Sequence, residues 1–414
     1  MRILFLADRI PPYNLGGGGK IPWRLARGFH ARGHEVFIVT STREKSYREV
    51  REGIPVFYVH SRYPARFRAW VSLWNPQTIF TVRHLTEQIQ PDVVNVHNIH
   101  EHLSYAVISD AAKTGFPVVF SAHDMMTFAY GKPTYIIDPG DSPSSQDDRL
   151  PGGYNLREMR FRYNPFRNIT IRRILWNHTS ARIAISEAHR HILEANDLPP
   201  FRVIYHGFDA EEYQKPSDDV LQSLRQRFDL EGRRVVFFGG RLTELKGSRQ
   251  LLLALDKVAA QVPNVRLLLL SSMPVDTDQL TGLQNLNESH ICHAGWLSGK
   301  ELLAAYHLSD VIPVPSIYPD PLPTTAFEGM AVGKPVIVSC FGGSPELVID
   351  GKTGYVVNPF DVEIFAARLV SLLQDSDLRE KIGNAGREHL KAHFSFKQQL
   401  DNTFAVYEDA LVKR

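Results

Sequence analysis

The chain has 414 residues, of which 43% are hydrophobic and 22% charged. That is the balance of a globular protein, at a length that favours two domains over one. Its 47 basic and 45 acidic groups leave a net charge of +2, which excludes a nucleic-acid binder acting through bulk charge.

The opening MRILFLADRIPP has one basic residue before a very short apolar run and then Asp8, so it does not read as a secretory signal. No segment approaches the roughly 20 apolar residues needed to cross a bilayer. Two cysteines, Cys292 and Cys340, are too few for a disulfide framework or a zinc site and read as reduced core residues. A cytoplasmic protein is expected.

Strand-length apolar runs at 2–7, 35–40, 92–97 and 117–123 alternate with helical stretches such as 20–32 and 101–115. Continuous Val, Ile, Leu and Phe mark strands buried on both faces, as in a parallel sheet flanked by helices. Residues 60–84 mix Arg62, Arg66, Arg68 and Arg83 with Phe67, Trp70 and Trp74. They fit either an amphipathic packed helix or a surface that docks peripherally on an anionic membrane. Residues 131–165, rich in Pro, Gly, Ser and Asp, read as a long loop or a partly ordered insertion. The alternating pattern restarts after about residue 200, with runs at 233–240, 265–272, 289–295, 309–316 and 334–340. The expected fold class is therefore α/β, with two Rossmann-like doubly wound domains at 1–200 and 201–394. The segment 395–414 has helical periodicity, with Phe396, Leu400, Phe404, Tyr407 and Leu411 near one face.

In such folds ligands bind beyond the carboxyl ends of the strands. After the first strand come Gly16, Gly17, Gly18 and Gly19, a flexible loop or a backbone able to approach an anion; the spacing is not that of a dinucleotide fingerprint. At the corresponding place in the second half, Arg241 and Lys246 follow a buried run, from where cationic side chains reach phosphate; the alternative is two solvated charges. The stretch PSIYPDPLPTTAFEG places Asp320 before a proline-rich helix start and Glu328 one turn inside. Thr325 and Glu328 fit a capping box. The competing reading has an anion at the helix start and a vicinal diol, such as a ribose, on Glu328.

The motifs GRLTELKG, HAGWLSGKELLAAYHLSDVIPVPS and PDPLPTTAFEGMAVGKPVIVSCFGGSPELVIDGKTGYVV resemble the signature series of the family 4 glycosyltransferases, as do GG…LARGFHARGHEV and DVVNVHNIH…PVVFSAHD. The resemblance implies the GT-B fold, two Rossmann-like domains facing across a cleft, with the helix 395–414 packing back on the first. It also implies retaining transfer of a hexose-type sugar from a nucleotide-sugar donor to an acceptor hydroxyl, with neither cofactor nor metal. By motif position, Arg241 and Lys246 are expected on the donor diphosphate and Glu328 on the ribose. Pro323, Thr324 and Thr325 are expected along the sugar and phosphates, with Gly16 and Gly17 approaching from the first domain. His123 is expected near the donor sugar and Asp320 positioning it. The family usually has Glu where this chain has Asp320. A nucleotide-sugar-binding protein without transfer activity and a nucleotide-sugar epimerase remain as alternatives.

Overall fold

A computed structural model describes residues 1–13, 17–131, 133, 148–239, 243–271 and 282–412. Two compact units emerge, one of Met1–Pro133, Asp148–His206 and Lys397–Arg414, the other containing Gly207–Phe396.

The first unit carries β1 (Arg2–Leu6), β2 (Glu35–Thr42), β3 (Tyr47–Arg51), β4 (Ile54–His60), β5 (Val93–Val96), β6 (Val118–Ser121), β7 (Ala181–Ala184) and β8 (Arg202–Val203). Their order in the sheet is β3-β4-β2-β1-β5-β6-β7-β8. Every pairing is parallel except β3 with β4. The direction of winding reverses between β1 and β5, which makes their carboxyl ends the topological switch point. β5 and β6 are buried throughout, and β1 from Ile3 onward, because both faces are covered, as their apolar runs require.

The second unit carries β9 (Arg234–Phe238), β10 (Val265–Leu269), β11 (Ile291–His293), β12 (Ile312–Val314), β13 (Val336–Ser339) and β14 (Tyr355–Val357). They form two parallel three-stranded sheets, β11-β10-β9 and β12-β13-β14. A bridge between Val236 and Val311, with the Phe237 amide donating to the Val311 carbonyl at 3.0 Å, joins β9 to the approach of β12. The resulting order has its switch point between β9 and β12.

The helix Phe396–Val412 buries Leu400, Thr403, Val406, Tyr407 and Ala410. Tyr407 packs on Phe29 and its hydroxyl accepts a hydrogen bond from Asn95 Nδ2 at 2.8 Å, while Arg32 pairs with Asp401 at 2.7 Å. Phe404 lies half-buried at the edge of this face, against Phe29 and His34.

Several expectations change. Residues 60–84 do not make one amphipathic helix: a 3₁₀ turn Ala65–Phe67, a one-turn helix Arg68–Val71 and the helix Ile79–Ile89 share the segment. Pro64 and the Asn75-Pro76 pair interrupt it. Within 131–165, a helix Tyr154–Met159 and a 3₁₀ turn Arg160–Arg162 favour the partly ordered insertion over the long loop, and 134–147 lie outside the described residues. Both cysteines are free, Cys292 buried and Cys340 only half-buried.

Candidate functional site

In the second unit, the turn after β9 and the loop after β12 are locked together at the switch point. Gly247 has φ +74°, and a Cβ there would lie 1.8 Å from the Pro315 carbonyl oxygen. Only glycine permits so close an approach. The Ile317 amide donates to the Leu245 carbonyl at 3.0 Å, and the Gly343 amide to the Asp320 carbonyl at 2.9 Å, so the proline-rich loop is held from both sides.

This clamp sets Lys246, in the 3₁₀ turn Glu244–Lys246, beside Asp320. Lys246 Nζ lies 2.5 Å from Asp320 Oδ2 and 3.2 Å from the Tyr318 hydroxyl, which itself donates to Asp320 Oδ2 at 2.7 Å. Asp320 is 6% exposed. A buried carboxylate requires such partners. Two residues to which the sequence gives separate roles thus form one hydrogen-bonded ion pair, with Tyr318 as an unforeseen third member.

Glu328 lies on the helix Thr324–Ala331 and is 8% exposed. Its Oε2 accepts a hydrogen bond from the Tyr306 hydroxyl at 2.5 Å. Burial, reinforced by the Glu328 carboxylate, raises the Tyr306 phenol well above its ordinary range, so it remains a donor at neutral pH. Tyr306 in turn packs edge-on against Phe237 of β9. The capping box is not formed: Pro323 is the N-cap and no side chain caps the helix. Thr324 and Thr325 occupy the first turn, half-buried. Arg241 lies outside the described residues.

The first unit gathers a second cluster at its own switch point. His97 follows β5, His123 follows β6 and His206 follows β8, and the three rings stack at 5.0 and 5.4 Å. His97 Nδ1 and His123 Nε2 share a hydrogen bond of 2.7 Å. Burial depresses the His123 pKa to about 4 and pushes His97 and His206 well below the usual imidazole range, so all three are neutral at pH 7. Asp124 binds Asn98 Nδ2 at 3.1 Å and His100 Nε2 at 3.1 Å. Burial opposes its ionisation, but His100 and the Met126 amide outweigh that and hold its carboxyl well below the usual range.

Gly17, Gly18 and Gly19 begin the helix Gly17–Ala31 rather than forming a positive-φ loop. A Cβ on Gly18 would stand 2.8 Å from Asn98 Nδ2, so the run brings this helix against the β5 loop. Gly16 lies outside the described residues. His97, His206, Tyr306 and Tyr318 were not singled out from the sequence. The first two follow strands, and strand-end position is the signal by which the sequence identifies them.

The family profile described as "Glycosyl transferases group 1" matches residues 222–389, and that of "Glycosyltransferase Family 4" matches residues 15–212. The chain belongs to the family 4 glycosyltransferases. It is 28% identical over 219 residues to spore coat protein SA of Bacillus subtilis, covering 50% of this chain and 58% of that protein. It is 27% identical over 337 residues to the alpha-maltose-1-phosphate synthase of Mycolicibacterium smegmatis, covering 75% and 78%. Among solved structures it matches Anabaena HepE in complex with UDP-glucose, with a TM-score of 0.70 and 19% identity over the full length of both chains. Full-length matches of this kind make the fold GT-B. The chain spans little more than half the length of spore coat protein SA.

Proposed function

We propose that the protein is a retaining glycosyltransferase that moves a hexose-type sugar from a nucleotide-diphosphate sugar to an acceptor hydroxyl. The observation that carries this reading is the Lys246–Tyr318–Asp320 cluster beside the switch point of β9 and β12, in the same unit as the Glu328 helix.

Breaking the glycosidic bond sends its electron pair onto the departing diphosphate. Lys246 and the Thr324 helix start stabilise that growing charge, together with Arg241 by family resemblance. The incoming phosphates share Lys246 with Asp320, and Asp320 accepts a hydrogen bond from a sugar hydroxyl. Glu328, fixed by Tyr306, accepts hydrogen bonds from the ribose diol. In the retaining course implied by the family, the acceptor oxygen bonds to the anomeric carbon on the face the diphosphate leaves, and its proton passes to the departing phosphate oxygen. The same resemblance assigns His123 to the sugar and Gly16 and Gly17 to the phosphates or the acceptor. HepE was solved with UDP-glucose, which makes that compound the first donor to test.

One observation favours a second reading, a nucleotide-sugar binder without transfer: the carboxylate at 320 is an aspartate already engaged by Lys246. The test is a panel of nucleotide sugars, reading saturable binding and nucleoside diphosphate release with and without acceptor extracts. Transfer that falls at least about a hundredfold in Lys246→Ala is expected. Turnover at the wild-type rate in that variant would contradict the reading, and binding without release under every condition would leave the binder.

A further inference from the structure

The basic and aromatic residues of 60–84 have no part in the sites above, and the first unit sets a second run of the same character beside them. Ala69, Tyr130 and Tyr163 form a small buried cluster with Met159 packed on it. Arg68 Nε donates to the Tyr130 hydroxyl at 2.9 Å and Arg167 Nε to Ser72 Oγ at 3.3 Å, and both guanidinium groups lie over the Tyr130 ring. Residues 67–74 and 159–169 are thereby fastened into one surface.

Its outer side is apolar. Phe161 is 81% exposed and Phe166 is 68% exposed, while Phe67 and Trp70 are each about half exposed. The helix Arg167–His178 turns Arg167, Ile171 and Leu175 inward. Its exposed stripe of Phe166, Ile169, Arg173 and Trp176 repeats every three or four residues. A solvated helix would carry polar groups on that stripe.

The charge is one-sided. Of the nine arginines in 62–74 and 157–173, Arg167 is buried, Arg68 pairs with Glu101 and Arg172 with Asp197; Arg62, Arg66, Arg157, Arg160, Arg162 and Arg173 are exposed, against the single acid Glu158 within these stretches. Arg66 lies over the Phe67 ring and Arg162 near the Phe161 ring, so cation and aromatic alternate along the surface. A protein interface sorts apolar residues into a core and charges into a rim. An anionic bilayer accepts both side by side, rings at the headgroup boundary and guanidinium groups at the phosphates.

We propose that this surface of the first unit docks peripherally on an anionic lipid bilayer. Among the described residues, no helix is long and apolar enough to cross a membrane. The inference goes beyond the transferase reading and does not need it.

The experiment is flotation of the full-length protein with vesicles of phosphatidylcholine alone or mixed with phosphatidylglycerol. Partition onto the anionic vesicles is expected to exceed that onto the neutral ones by about tenfold or more, and to fall with added salt. The pair Phe161→Ser with Phe166→Ser, and separately Arg160→Glu with Arg162→Glu, should each lower it by about tenfold. All four side chains are exposed, so the fold is retained. Equal partition onto both vesicles, no partition of the wild type, or wild-type partition of both variants would overturn the proposal. A dimer in light scattering that the serine pair dissolves, without flotation, would also overturn it in favour of self-association. Flotation requires no donor, so its outcome stays distinct from that of the nucleotide-sugar assays.

Discussion

Tyr306 is the least conspicuous residue of the second unit's cluster and among the most informative. Its hydroxyl is the donor that holds the Glu328 carboxylate in place. A hydrogen bond to a charged group contributes about 1.5–3 kcal/mol, so Tyr306→Phe should raise the donor KM by about tenfold or more, with kcat less affected. An unchanged KM would show that Tyr306 does not position Glu328 for the donor. The histidine stack predicts a pH effect on stability. His123 titrates at about 4 in the fold and near 6.5 when unfolded, so its stabilising contribution is complete above about pH 6.5 and is lost as the pH falls toward 4. His97 and His206 act in the same sense. Asp8 opposes them, because burial raises its carboxyl to about 6 and the fold then favours its protonated form on acidification. His102, depressed to about 4 chiefly by burial, adds to them, so the lowered imidazoles outweigh Asp8 and acidification gives a net loss. Urea-unfolding free energies should decline between about pH 7 and pH 5, and His206→Phe should flatten that slope by up to about 1.4 kcal/mol per pH unit. Parallel slopes for the two proteins would show that the stack does not titrate with folding.

At the scale of elements, the strands with continuous apolar sequence were legible because burial on both faces leaves no room for polar residues. β3 was not, since YREVR is largely exposed, at an edge, and antiparallel; nor were β7, β8 and β14, with four, two and three residues, and β4, though apolar, is also not among the runs read as strands. The capping-box pattern at Thr325 and Glu328 was legible but misleading, because the helix begins at Thr324 behind Pro323 and so places Thr325 inside its first turn, while the Tyr306 phenol binds the carboxylate. Lys246 and Asp320 were each visible as candidates, whereas their pairing depends on a clamp 74 residues across the chain. Gly247 is the residue that makes the clamp possible. Gly247→Ala should cost about 2 kcal/mol or more in urea unfolding and weaken donor binding, because the added carbon forces the β9 turn from Pro315. Gly33→Ala is the control: φ there is +85° with no atom within 4 Å of the added carbon, so only the backbone strain of about 1 kcal/mol is expected. Equal costs at the two positions would mean that the approach to Pro315 is not tight.

On the scale of the whole molecule, alternating apolar runs announced two α/β halves, but the Asn95–Tyr407 hydrogen bond spans 312 residues and leaves no mark in any local window. Its consequence is that the first unit is discontinuous in sequence. Leu400, Val406, Tyr407 and Ala410 are buried, and Tyr407 fills space against Phe29 that 1–206 alone would expose. Each large apolar side chain so buried contributes about 1.5–3 kcal/mol, and together they approach the 5–15 kcal/mol that holds a typical domain folded. Residues 1–206 produced alone should therefore keep secondary structure but lose near-ultraviolet circular dichroism and cooperative urea unfolding. Appending 397–412 through a flexible linker should restore both, while 207–396 should unfold cooperatively without help. Should 1–206 alone unfold cooperatively at the midpoint of the linked form, the last helix would be an ornament on a finished core rather than part of it.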